Sequence, residues 1–362
     1  MTSRILLLLL GLGSFGCSDL ARSPDAPPED ASPAIEDGAE DGDTGPGNAE
    51  FVGLIHETFP QRLSALGISP EMPDLVRTPS NVVHYEPTWP LYSDGSTKQR
   101  HVFLPPGRSI DKSDPELWQF PVGTLFFKTF SYADLKNSRG RRHIETRLIH
   151  RSERRWQYAV YRWAPDMSDA RLINIDSPTR VSVAKAENTT FEHEIPSRLE
   201  CRMCHEAGPN TILGYNAWQL GERALGAPDA ITAEVMGYAL GNCTQCHNGS
   251  ASARSSFDLR PEAFWANTVN QPTGSSASGT GIRVVPGSPE DSVLFLGLSG
   301  GDRVRGIKAM PPLGVQVVDT DAVALFRKWI EGLTTPATGQ YKLRDHAALS
   351  AHRVPNDRRR KG

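Results

Sequence analysis

The sequence predicts a multidomain α and β chain, with an N-terminal β-sandwich or jelly-roll-like domain followed by a mainly α-helical region. Three observations predict it. Short aromatic and β-branched runs separated by turn residues recur from about residue 80 to 196. Helical spacing of apolar residues replaces them further on. In that second part the pattern Cys-x-x-Cys-His occurs twice. A length of 362 residues suffices for two domains with flexible ends.

In the first part, residues 117–132 (LWQFPVGTLFFKTFSY) form an apolar run punctuated by Pro121 and Gly123. The runs 143–150 (HIETRLIH) and 155–163 (RWQYAVYRW) flank a polar stretch and read as a hairpin. Shorter runs at 170–175 and 180–184 continue the series, which argues for a sandwich or jelly roll. Asp94-Gly95 reads as a turn, Lys98 and Arg100 as a solvated edge or a haem-propionate partner, and Glu145 with Arg147 as an ion pair on one strand face. In the second part, residues 230–240 have helical spacing. So do 319–333, where Val323, Phe326, Trp329, Ile330 and Leu333 recur at three- and four-residue steps behind Asp319 or Thr320 as N-cap. Residues 271–281 (QPTGSSASGTG) read as an exposed loop.

The ends read differently. Arg4, the apolar run 5–12 and the small residues before Cys17 have the form of a secretory signal over residues 1–16. A Cys directly after such a run suits lipid attachment, although Ser14 stands where an aliphatic residue is usual. Residues 17–50 read as an acidic disordered tether, since 18–50 hold ten acids against Arg22 alone and almost nothing large and apolar. The β-rich domain is expected over 51–196, the second region over 197–335, and a flexible tail over 336–362. A net charge of -3 without a basic stripe excludes a nucleic-acid partner. No run of 18 apolar residues follows the leader, so membrane attachment is expected only through a lipidated Cys17.

Four of the five cysteines fall in the two repeats, Cys201-Arg202-Met203-Cys204-His205 and Cys243-Thr244-Gln245-Cys246-His247. Two thiols at this spacing can each form a thioether to a haem vinyl group, with the adjoining His as iron ligand. The expectation is two covalently attached haem c groups, with His205 and His247 as metal ligands. A four-Cys zinc site would not require a His after each pair, and a thioredoxin-type pair would want a βαβ context. Met310, 63 residues after His247 and stiffened by two prolines, is the expected sixth ligand of the second iron. The first iron has no assigned sixth ligand. His101, His143, His150, His193 and Met236 are candidates, and each also reads as a surface or packing residue.

The phrases YALGNCTQCHN, VVPGSPEDSVL, AMPPLG and LFRKWIEGL look like bacterial class I cytochrome c domains. With WPLYSDGSTKQR, FPVGTLFFKTF and ETRLIH upstream, residues 81–333 resemble a family of dihaem c-type cytochromes with an N-terminal β domain. The resemblance implies haem binding and electron transfer without a defined substrate. The expected function is an extracytoplasmic electron carrier between redox partner proteins, periplasmic or on the cell surface, rather than a catalyst. A dihaem peroxidase-like enzyme and a β-domain binding module carrying a cytochrome are the alternatives. No G-x-S-x-G, phosphate loop or H-E-x-x-H is present, and no catalytic residue is assigned.

Overall fold

Strand-forming residues from 82 to 172 build one six-stranded antiparallel sheet, in a computed structural model that describes residues 58–67, 82–115, 117–134, 140–184, 190–250, 257–274, 279–334 and 342–343. These residues all lie within one compact unit, Pro46–Gly362. The strands are β1 (Val82–His84), β2 (Thr97–Phe103), β3 (Leu125–Ala133), β4 (Arg141–Arg151), β5 (Trp156–Trp163) and β6 (Ala170–Leu172), paired in chain order. A separate ribbon follows, β7 (Thr179–Ala184) against β8 (Thr190–Ile195). The expected β4–β5 hairpin forms, its turn closed by Ser152, whose N–H donates to the Arg155 carbonyl at 3.0 Å.

Period-two alternation gives the sheet two different faces. On one, Phe103, Leu125, Phe127, Leu148, Tyr161 and Trp163 pack with Leu63 and Leu66 into a fully apolar core. On the other, Val102 and Phe126 pack with Ile212, and Val160 packs with Val181, Val183 and Ile195 of the ribbon. Charged residues share this second face, and it carries the site described below.

Five helices are found among the described residues: α1 (Arg198–His205), α2 (Ala230–Asn242), α3 (Phe264–Thr268), α4 (Val293–Leu298) and α5 (Thr320–Gly332). Asp229 caps α2 by accepting from Thr232 N at 2.9 Å, and Asp319 caps α5 by accepting from Ala322 N at 3.1 Å. Trp329, Ile330 and Phe326 of α5 are buried against Val235, Met236 and Ala239 of α2. Two short strands, β9 (Leu333–Thr334) and β10 (Lys342–Leu343), pair at the end.

The fold differs from the expected class in both halves. A six-stranded meander dominates, and among the described residues the only strands over its second face are the two of the ribbon, so the β part is not a sandwich or jelly roll with crossing connections. The region after residue 196 is not mainly α-helical, because its helices are 8, 13, 5, 6 and 13 residues long and are separated by longer turns. The turns are stabilised locally. Asp302 accepts from the N–H groups of Val304 and Arg305, Ser292 Oγ bonds Ser288 O, and Asp258 accepts from Arg260 N. Such side-chain bonds to backbone compete with helix formation.

Among the described residues no helix is long and apolar enough to cross a membrane. The signal segment 1–16, Cys17, the tether to residue 50, and the tail except 342–343 lie outside the described residues.

Candidate functional site

The two Cys-x-x-Cys-His motifs sit in different local structures. Ser197 starts α1 with a reciprocal cap, its hydroxyl facing Glu200 N while Glu200 Oε2 accepts from Ser197 N at 2.8 Å. Cys201, Cys204 and His205 then fall at i, i+3 and i+4, on one side of the helix. His205 Nδ1 donates to the Thr211 carbonyl at 2.7 Å, which fixes the ring and keeps the proton off Nε2. Burial, and then Lys128 and Arg147, hold the His205 pKa down at about 4.

The second motif begins where α2 ends. Cys243 is the C-cap, and its carbonyl accepts from Cys246 N (3.0 Å) and His247 N (2.9 Å) to make a tight turn. The His247 ring meets Phe257 edge to face at 5.1 Å, and its Nδ1 is buried without a hydrogen-bond partner. Burial and the nearby Arg283 lower its pKa. Burial and Cys246 push the Cys243 thiol up to about 12.

The fold brings the motifs together. Asn248 Nδ2 reaches Ala207 O at 3.5 Å, and Ser250 Oγ donates to the same carbonyl at 2.8 Å. The neighbouring Cys246, followed by burial, raises the Cys204 thiol. No disulfide joins the four cysteines of the two motifs. Among the described residues no group of three or more His, Cys, Asp or Glu side chains converges as a metal site.

Cys201, Cys204 and His205 line a cavity between α1 and the second sheet face. It has a volume of about 180 Å³ and is partly open to solvent. Arg100, Phe126, Lys128, Arg147 and Tyr158 form the sheet wall, and Pro311 with Leu313 to Val315 close another side. Met310 precedes that wall, its N–H donating to the Gly297 carbonyl at 2.9 Å and its side chain packing beside Gly297.

Sequence reasoning missed the segment that closes the cavity. Residues 87–94 (PTWPLYSD) lie across α2, where the Trp89 ring occupies the space a side chain at Gly237 would need. Gln219 bonds Trp89 N and O (3.0 and 3.1 Å), and Asn242 Oδ1 accepts from Tyr92 N at 2.7 Å. Asp94 accepts from Gln316 N and Val317 N at 2.9 and 2.8 Å. The strap therefore ties the sheet to both the second motif and the loop after Met310.

The sixth-ligand candidates for the first motif are engaged elsewhere. His193 Nε2 donates to Glu145 at 2.8 Å and its Nδ1 bonds the Tyr132 hydroxyl at 2.9 Å. His143 bonds Ser131, His150 bonds Gln157, His101 packs on His84, and Met236 is core. No family model matches the chain, and no curated protein and no solved structure matches it.

Proposed function

We propose that the chain attaches two haem c groups, through Cys201/Cys204 and Cys243/Cys246, and passes single electrons between redox partner proteins outside the cytoplasm. The observation that carries the reading is that the two motifs lie side by side, Asn248 and Ser250 just after the second reaching the Ala207 carbonyl just after the first. Attachment points side by side favour direct transfer between the two centres. His205 fits the role of an iron ligand, since Nδ1–H is engaged by Thr211 and only Nε2 offers a lone pair. The buried and unpartnered Nδ1 of His247 suits a ring whose position an iron would fix from Nε2. Haem supplies the one-electron chemistry; the chain holds the groups, limits access to them and tunes their potential.

Met310 is the proposed sixth ligand of the second centre, with membrane attachment through a lipidated Cys17. Holo-protein matured with cytochrome c assembly machinery should retain two haem masses after denaturation. Cys201→Ser/Cys204→Ser and Cys243→Ser/Cys246→Ser should each retain one, and two unaltered masses in either variant would reject that motif. Met310→Ala should lower the potential of the second centre alone, because a thioether ligand favours the reduced iron. An unchanged potential would move the ligand elsewhere.

A second reading is favoured by one observation. His101, His143, His150, His193 and Met236 are all engaged away from His205, which suits a dihaem peroxidase-type enzyme with an open position on the first iron. Rapid cyanide binding at the first centre, with peroxide turnover lost in His205→Ala, would establish the enzyme; slow and weak cyanide binding would establish the carrier.

A further inference from the structure

The second face of the sheet carries an arrangement that strand pairing alone disfavours. Arg100 on β2 stands directly opposite Lys128 on β3, and Lys128 stands directly opposite Arg147 on β4. Like charges in directly opposed positions destabilise a sheet. Lys98 adds a fourth cation further along β2, opposite Phe130.

The acids near this row are engaged. Glu145 is fully buried and takes both Arg147, at 2.6 and 3.1 Å, and His193. Asp94 accepts from the backbone at 316 and 317, Glu194 pairs with Arg180, Glu200 closes the α1 cap, and Glu86 faces His84 at 3.8 Å. Arg100, only 6% exposed, and Lys128 have no ion-pair partner among the described residues. Lys128 Nζ lies 5.0 Å from the Phe130 ring centre.

Burying cations without counter-charge is expensive, and groups so placed lose their protons or find an anion. Burial, followed by the neighbouring cations Arg100 and Arg147, pulls Lys98 down to about 7, and burial with Arg100, Lys98 and Arg147 holds Lys128 well below its ordinary value. Arg100, Lys128 and Arg147 all line the cavity that holds Cys201 and His205. Guanidinium groups are suited to carboxylates, which they bind with two parallel hydrogen bonds.

We propose that the row Arg100–Lys128–Arg147 is a carboxylate seat within the cavity beside Cys201 and His205. Two sources of carboxylate fit it. The propionates of a haem attached at Cys201 and Cys204 would fill it, which rests on the function proposed above. A free small carboxylate would fill it otherwise.

The test uses full-length holo-protein, with Arg100→Gln and Lys128→Gln variants that also relieve the like-charge row. Retained haem mass at the first motif is measured first, so failure of the haem reading is seen separately. Propionate in the seat predicts that either variant lowers the potential of the first centre. The second centre should be unmoved and succinate without effect. Free carboxylate predicts calorimetric binding of succinate to the wild type, weakened about tenfold in Lys128→Gln and by added salt. If the first potential does not move and succinate does not bind, the seat is refuted.

Discussion

Replacing Glu145 with alanine should destabilise the protein by about 3–5 kcal/mol, because it breaks a buried ionic cluster from one side. The carboxylate is 0% exposed and bridges Arg147 and His193, which in turn holds the Tyr132 hydroxyl. Its loss leaves Arg147 unpaired beside Lys128 and Arg100, a large fraction of the 5–15 kcal/mol typical of a domain. Burial opposes ionisation of Glu145, but Arg147 and the His193 hydrogen bond overcome it and hold the carboxyl down at about 2 against an ordinary 4.5. A depressed carboxyl stabilises fully above its unfolded pKa. That contribution is therefore present above about 4.5 and lost as pH falls towards 2. Urea midpoints should drop sharply in Glu145→Ala, and the acid limb of the stability profile should flatten between those pH values. A midpoint close to the wild type at neutral pH would show that the cluster adds nothing to stability.

Local patterns in the sequence were enough to find much of the framework. The aromatic run at 117–132 holds all of β3 but its last residue, the hairpin runs at 143–150 and 155–163 match β4 and β5 to within two residues, and Asp319 caps a helix with the predicted buried side. In each case one face is dry, so apolar periodicity reports it directly. The strand TKQRHVF escaped the same reading. Its Arg100 faces a cavity rather than bulk water, so a polar strand face looked like a solvated edge. The strap at 87–94 escaped for another reason. Its partners Gln219, Gly237, Gly241 and Asn242 lie far along the chain, and nothing local marks the two glycines as spaces for Trp89. Helix was overestimated after residue 196 because two well-patterned helices stood for a region whose remaining segments bond their own backbones through Asp, Ser and Asn. The two cysteine motifs were legible from spacing, but their contact depends on long-range packing that spacing does not encode.

The second large effect is expected at Trp329. Its side chain is wholly buried, packed against Phe264 (5.7 Å between ring centres), Trp265 (6.0 Å) and Phe326 (6.2 Å), and its Nε1 donates to Thr232 Oγ1 at 3.2 Å. Trp329→Ala should cost about 3–5 kcal/mol through lost burial and the cavity left between α2 and α5. Trp329→Phe keeps much of the volume but drops the donor to Thr232. Since Thr232 Oγ1 still donates to Asp229 at 3.0 Å, this variant should lose only about 0.5–1.5 kcal/mol. The consequence for the site follows from connectivity, because α2 ends on Cys243 and its packing on α5 fixes where the second motif begins. Under the function proposed above, haem attached covalently at both motifs would not be lost when that support loosens, so the retained mass should stay at two groups. The potential of the second centre should instead broaden or shift, with the first centre, supported by the sheet and α1, left in place. Thermal unfolding combined with a redox titration of both centres checks this. Equal disturbance of the two centres in Trp329→Ala would show that the α2–α5 core does not support the second motif selectively.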